Sequence, residues 1–322
     1  MPEHAADNPS AGATPAPKDA GPASPGLSAW EHFSLGTVHA AVSLIHAIGS
    51  VRGVHWCGRA FGFVEYLINH KRRRRFAAAL RTICGPDVPA ARRRAETRAY
   101  FMNTRCDKLF YLVLDRVGIQ KAKAQMHIVG REHLDAAVAQ GRGVYLAFSH
   151  HGPHHIIAVL FALLGYRSAL VRDAKEGALR RYVQHRLHRK YPQLTERIRI
   201  VLAAAYPREI YRLLADGFIL GSALDVGRIR DARQTTHTVR MFGTDRPVLT
   251  GPLRIAMRTK VPVLQAMIAP LPGGGYELEF MSPLIDPDAD GDPDAALARA
   301  LQIYAERVEQ YVRRKPHLVS KI

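Results

Sequence analysis

Four histidines fall within six residues, His150-His151-Gly152-Pro153-His154-His155, directly after the apolar run Val144 to Phe148. Near neutral pH an imidazole can take a proton, bind a metal or orient a neighbouring group. The run before them reads as a buried strand, and Gly152-Pro153 as a turn. A helical pattern then starts near His155 and continues through Ile156-Ile157-Ala158-Val159-Leu160. In α/β proteins, ligands and catalytic groups collect at such strand ends. A strand–turn–helix junction with a histidine on each side of the turn has the arrangement of a general base and its orienting partner. His150, at the strand exit, is the candidate base, and His155 the candidate partner.

The elements that must position these residues follow from the rest of the pattern. Short β-rich runs lie at 126–129, 144–149, 168–172, 198–202, 218–224, 237–242, 261–269 and 276–281. Helical patterns lie between them at 131–139, 155–164, 176–190, 207–215, 250–259 and 293–314. Alternating strand and helix specifies an α/β fold, mixed but with a largely parallel central sheet flanked by helices. The acidic, proline-containing stretch from Asp286 to Asp294 reads as a loop before the last helix. Upstream, 71–83 and 90–110 carry helical patterns with basic faces. Residues 1–28 are rich in Ala, Pro, Ser and Gly and read as a disordered tail without the features of a signal peptide. The chain therefore divides into the tail 1–28, an N-terminal helical, membrane-associating and basic region over 29–110, and an α/β domain over 111–322.

The membrane association rests on two features. Twenty consecutive residues between Glu31 and Arg52 contain no Asp, Glu, Lys or Arg. Within them His32, His39 and His46 recur every seven residues, which gives a helix one polar stripe. Such a helix fits an interface, or a body with one face toward lipid, better than a lipid-surrounded span. The formal net charge of +18 adds a preference for an anionic partner. Much of that charge is in Lys71-Arg72-Arg73-Arg74-Arg75 and Arg92-Arg93-Arg94. No nucleic-acid motif or aromatic interleaving accompanies it, so nucleic acid is the weaker choice and a membrane surface, an acidic carrier protein or a phosphorylated substrate is favoured, with no nucleic acid expected as partner. The three cysteines, Cys57, Cys84 and Cys106, form neither a zinc pattern nor a disulfide framework, as expected for a reducing compartment.

Several blocks in this order resemble one family. The frame His150-x-Gly152-x-x-His155, then Arg172 at the next strand's end, resemble the lipid A biosynthesis (lauroyl/myristoyl) acyltransferases of the lysophospholipid acyltransferase superfamily. So do Leu224-Asp225-Val226-Gly227, Met241-Phe242-Gly243, Pro252-Leu253-Arg254-Ile255-Ala256 and Lys260-Val261-Pro262-Val263. The resemblance spans about residues 30–315. It implies transfer of a fatty acyl group from an acyl thioester to a hydroxyl of a lipid acceptor, a lipid A precursor or a lysophospholipid-like molecule. It implies His150 as catalytic base, with His155 and Asp225 in the catalytic group. Gly152, Arg172, Phe242, Gly243 and Arg254 would contact substrate, with Arg240 and Lys260 as further cationic candidates. No metal or organic cofactor is implied; acyl carrier protein or coenzyme A carries the acyl group as a co-substrate. The expected location is the cytoplasmic face of the cell inner membrane, peripheral or anchored by an N-terminal helix.

One position departs from the family frame. The acid expected after four intervening residues beyond the catalytic histidine is replaced by His155. A neutral imidazole can accept a hydrogen bond but offers no negative charge, so Asp173, Glu176 or Asp225 would have to supply it. On this frame His155→Glu should keep or raise activity. The departure motivates a rival reading, a catalytically impaired family member that binds lipid or acyl chains. A second rival is a His-box metal oxygenase or desaturase, since imidazole suits iron and zinc, although no second box accompanies the first.

Overall fold

The computed structural model describes residues 27–172, 177–202, 207–225, 235–272, 274–285 and 291–319. The chain opens on a helical layer: α1 (Ala29–Ile68), α2 (His70–Cys84), α3 (Ala90–Leu112) and the short α4 (Ile119–Ala124). The α/β body follows as β1 (Met126–Val129), α5 (Arg131–Val138), β2 (Val144–Phe148), α6 (Ile157–Leu163), β3 (Ser168–Arg172) and α7 (Ala178–Lys190). It continues through α8 (Pro192–Thr195), β4 (Ile198–Leu202), α9 (Pro207–Ala215) and β5 (Ile219–Ala223). The hairpin β6 (Thr236–Met241) and β7 (Thr244–Leu249) precedes α10 (Gly251–Arg258), β8 (Val263–Pro270), β9 (Tyr276–Ile285) and α11 (Pro293–Arg314).

Seven strands form one sheet in the order β1-β9-β8-β2-β5-β3-β4. Every pairing in it is parallel except β8 with β9. The mixed, largely parallel sheet expected from the alternating pattern is therefore present. β2 lies between β8 and β5, and all five of its residues are buried, as a strand covered on both faces requires. Its side chains alternate between two cores. Val144, Leu146 and Phe148 join the core under α3, α6 and α7, whereas Tyr145 and Ala147 join the core under α9, α10 and α11.

α1 is a single element in the chain order but is made of two helices joined by a kink. Ser28 caps its start through a reciprocal box with Glu31, and Leu27 packs against the core, so the expected tail boundary at 28 falls two residues too late. Residues 1–26 lie outside the described residues. At Ser50 the backbone turns to φ 56, ψ −159, a region a non-glycine residue rarely enters, and the helix kinks there. Beyond the kink, Gly58 and Gly62 let α3 approach closely. A Cβ on Gly58 would sit 2.7 Å from the Cα of Cys106, and one on Gly62 would sit 2.4 Å from the Cα of Met102. Before the kink, the buried Asp115 ties α1 to α7. Its carboxylate meets His39 Nε2 at 3.1 Å and Arg186 Nε and Nη2 at 3.0 and 2.9 Å.

The outer face of α1 is apolar. Trp30, Phe33, Leu44, Ile48, Trp56, Phe61, Phe63, Val64, Leu67 and Ile68 are all exposed. Among the described residues, only Val129, Ile200 and Ile303 are large exposed hydrophobics elsewhere. α1 is long and apolar enough to cross a membrane, but its inner face, with His39, Val42, Val51, Val54, Gly58 and Gly62, is buried against the body. The expected boundary at 110/111 falls inside α3, whose last residues enter the same core as the sheet.

Candidate active site

The ladder between β2 and β5 builds the centre of the site. Val144 pairs with Ile219 and Phe148 with Ala223, a constant offset. Leu224 N–H donates to Phe148 O at 3.2 Å, which carries the pairing beyond the strands. Two residues past the ladder, the same offset sets His150 opposite Asp225. The Asp225 carboxylate accepts the His150 backbone N–H at 3.0 and 2.9 Å, and its Oδ1 lies 3.0 Å from His150 Nδ1. A carboxylate accepts and does not donate, so Nδ1 carries the hydrogen and Nε2 is the ring's accepting nitrogen. Both side chains are largely covered, at 14% and 25% exposure. Tyr304 of α11 donates to Phe148 O at 2.9 Å and braces the strand end from the other face.

Gly152 shapes the turn that follows. Its φ is +71, and a Cβ there would lie 2.0 Å from Ile268 O, so no side chain fits. The C-terminal segment clasps this turn. Gly152 N–H donates to Leu318 O at 2.8 Å, His151 bridges to Val319, and His151 Nε2 donates to Lys315 O at 3.0 Å. Burial lowers His151 to about 4, with the nearby His317 and Lys315 adding to the effect, so it stays neutral at physiological pH. His151 is thus a structural clasp.

His154 donates from Nδ1 to Gly152 O at 3.2 Å and stands edge-on to His150, with ring centroids 5.0 Å apart. Burial, reinforced by His150 and His155, holds it well below the ordinary imidazole range. His155 faces away from the sheet toward α3. Its Nε2 is 3.5 Å from Asp107 Oδ2, and its ring lies edge-on to Tyr111 at 4.7 Å. Burial raises Asp107 above the ordinary carboxylate range, opposed by His155 and Lys108. Tyr276 beside it is raised by burial and by Asp107's charge.

The carboxylate beside His150 is therefore Asp225, from the neighbouring strand's end, and His155 belongs to a second pair with Asp107. Sequence reasoning missed Asp107. It sits in a basic helix between Cys106 and Lys108, and no local signal distinguishes it from a surface charge.

The remaining expected residues scatter. Arg172 ends β3, two strands from β2, and its side chain lies outside the described part, as do Asp173 and Glu176. Phe242 and Gly243, at φ 53 and 73, form the tight turn of the β6–β7 hairpin. Phe242 N–H donates to Glu309 Oε2 of α11 at 2.7 Å, a packing role for this block. Arg254 pairs with Asp294 at 2.8 Å and Arg240 with Asp245 at 3.1 Å, both on the surface. Lys260 takes φ 51 at the end of α10. The structure thus gathers His150, Gly152, Asp225 and His155 around one turn and does not gather Phe242, Gly243 and Arg254 with them by any contact among the described residues. No family model matches the chain, and no curated protein matches its sequence.

Proposed function

We propose that the protein is a membrane-surface acyltransferase, moving a fatty acyl group from a thioester to a hydroxyl of a lipid acceptor. The observation that carries this reading is the His150–Asp225 pair at the C-terminal edge of the central parallel strands. With Nδ1–H held by Asp225, Nε2 accepts the proton of the acceptor hydroxyl as its oxygen attacks the thioester carbonyl carbon. A C–O bond forms, and the carbonyl π pair moves onto oxygen. Collapse of that tetrahedral centre breaks the C–S bond, and the departing sulfur takes the proton back from the imidazolium. Asp225 stabilises the imidazolium between the two steps by an opposite charge at hydrogen-bond distance.

The outer face of α1 supports a location at a membrane. Its exposed aromatic and aliphatic side chains would enter the interface, while His39 and Val42 keep the opposite face on the body. Lys71, Arg74 and Arg75, exposed just beyond Ile68, would meet anionic headgroups at about 1 kcal/mol each. The cytoplasmic face of an inner membrane and a carrier-protein or coenzyme A donor belong to the same proposal. The impaired-member reading loses its motive, because a carboxylate stands at His150. The oxygenase reading loses support too. His151 Nε2 and His154 Nδ1 are occupied by main-chain carbonyls, and no group of three His, Cys, Asp or Glu able to hold a metal occurs among the described residues. The test is thioester consumption by the full chain in lipid vesicles with hydroxyl-bearing lipid acceptors. His150→Ala should abolish turnover while the thermal midpoint stays within a few degrees. Turnover within a few-fold of wild type would remove His150 from the mechanism.

A further inference from the structure

A cavity of about 460 Å³ lies on the inner side of α1, beyond the kink, between α1, α3, the β8–β9 hairpin and the C-terminal segment. Its α1 wall is the stripe Val51, His55, Arg59, spaced by four residues, which spans about 12 Å at 1.5 Å per residue. Its α3 wall includes Asn103 and Phe110. Gly58 packs on Cys106 and Gly62 on Met102, so the two helices run antiparallel. That direction puts Arg59 at the Asn103 end and Val51 at the Phe110 end, where Leu271 of the hairpin closes the wall. Arg59 and Asn103 thus lie toward one end and Val51 and Phe110 toward the other, with Asp107, Glu277, Lys315 and His317 also in the lining.

The charges in its wall are unequally satisfied. Lys315 is paired with Glu277 at 3.0 Å and His317 with Glu96 at 2.8 Å. Arg59 is half-buried and, among the described residues, makes no ion pair or hydrogen bond. Burial and the charge of Arg59 together hold the neighbouring His55 below its ordinary range, so it adds no second cation near pH 7. Two carboxylates also line the cavity, but Glu277 is held by Lys315 and Asp107 by His155, and neither contacts Arg59. A half-buried guanidinium left without a carboxylate is a seat for an anion, and its planar fork suits phosphate or carboxylate oxygens.

We infer that this cavity binds a single-chain anionic amphiphile, its phosphate or carboxylate head on Arg59 and Asn103 and its chain toward Val51 and Phe110. The volume falls in the range of small-ligand sites, about 300–1,000 Å³. The apolar outer face of α1 explains how such a ligand would arrive, since the cavity lies directly behind the face proposed to meet lipid. Asp107 lines the cavity and also contacts His155, so the site adjoins the histidine turn. The inference concerns binding and stands apart from acyl transfer.

The test uses the full chain in neutral-lipid nanodiscs and a photoreactive lauryl phosphate, with labelled peptides mapped by mass spectrometry. Labels are expected on segments 51–59 and 103–110. Unlabelled lauryl phosphate should displace them, and inorganic phosphate or lauryl alcohol should not. Arg59→Gln should weaken displacement by about tenfold or more, the value of one charge-assisted hydrogen bond, and Arg59→Lys should restore most of it. Asn103→Trp, which fills the Arg59 end, should abolish the labels while α1 remains helical. Labels confined to the exposed face of α1 would indicate bulk partitioning and overturn the inference. Equal displacement by lauryl alcohol would remove the role of charge, and displacement by inorganic phosphate alone would replace the amphiphile with a free anion. Undiminished binding in Arg59→Gln would overturn the inference outright.

Discussion

Asp225→Asn is the sharpest perturbation of the proposed catalytic pair. The aspartate accepts the His150 backbone N–H with both oxygens and Nδ1–H with Oδ1. An amide has one oxygen and one NH₂ group to place against two donors. If its oxygen meets the backbone N–H, its NH₂ donates to Nδ1 and drives the hydrogen to Nε2. The atom that should take the substrate proton is then already protonated. If its oxygen meets Nδ1, the NH₂ opposes the backbone N–H and the turn loses its brace. A charge-assisted hydrogen bond contributes about 1.5–3 kcal/mol, and a quarter-exposed carboxylate belongs toward the lower value. That alone removes about tenfold in rate, at about 1.4 kcal/mol per decade. The inverted tautomer adds to it. The equivalent change in a serine-protease triad, about 10⁴-fold in kcat, sets the ceiling. We expect kcat to fall between about 10²- and 10⁴-fold, within that ceiling, with little change in KM, read as initial rates of thioester consumption. Activity within a few-fold of wild type would refute the assignment of Asp225 as the orienting group.

His155→Glu, expected from the family frame to keep or raise activity, should now lower stability. It would set a carboxylate against Asp107, and two like charges about 4 Å apart repel by about 4 kcal/mol at an effective dielectric of 20, less whatever Asp107 relieves by taking up a proton. A thermal midpoint at or above wild type would contradict the His155–Asp107 pairing. His151 is lowered from 6.5 to about 4, so the unfolded chain binds the extra proton first as pH falls. Its contribution, about 3 kcal/mol, is present above pH 6.5 and lost between 6.5 and about 4. In thermal melts His151→Asn should flatten the pH dependence across that window, and an unchanged slope would refute the clasp. Gly62→Ala forces a Cβ against Met102 and should cost about 1–3 kcal/mol as a drop in thermal midpoint. Trp56→Glu with Phe63→Glu should cut co-sedimentation with anionic vesicles at least tenfold, since each buried aromatic contributes about 1.5–3 kcal/mol. Unchanged sedimentation would remove α1 from the interface.

The body of the fold was readable because its strands are short, apolar and separated by amphipathic helices, so period alone located β1 to β6 and β8 to β9 closely. β7 escaped notice because Thr244-Asp245-Arg246-Pro247 carries no strand signal; it exists because the Phe242-Gly243 turn pairs it with β6. α1 was visible only as its uncharged first half. Its second half contains Arg52, Arg59 and Glu65, and its close packing on α3 through Gly58 and Gly62 is a tertiary contact that one chain segment does not reveal. His150 and Asp225 were both legible as strand ends. Their contact was not, since neighbouring order in the sheet is a tertiary fact. Asp107 was illegible for the same reason, reaching His155 from a helix outside the body's repeat.

The shared offset between β2 and β5 has a consequence for assembly. Nothing local holds Asp225 to His150; the two meet because seventy-five residues separate every pair in that ladder. A slip of one residue would set Asp225 against Ser149 or His151, whose side chains point to the opposite face. No misaligned sheet, however compact, could then have the dyad. Recovery of turnover during refolding would therefore be a gauge of strand alignment, lagging behind recovery of helical signal whenever the strands first pair out of step.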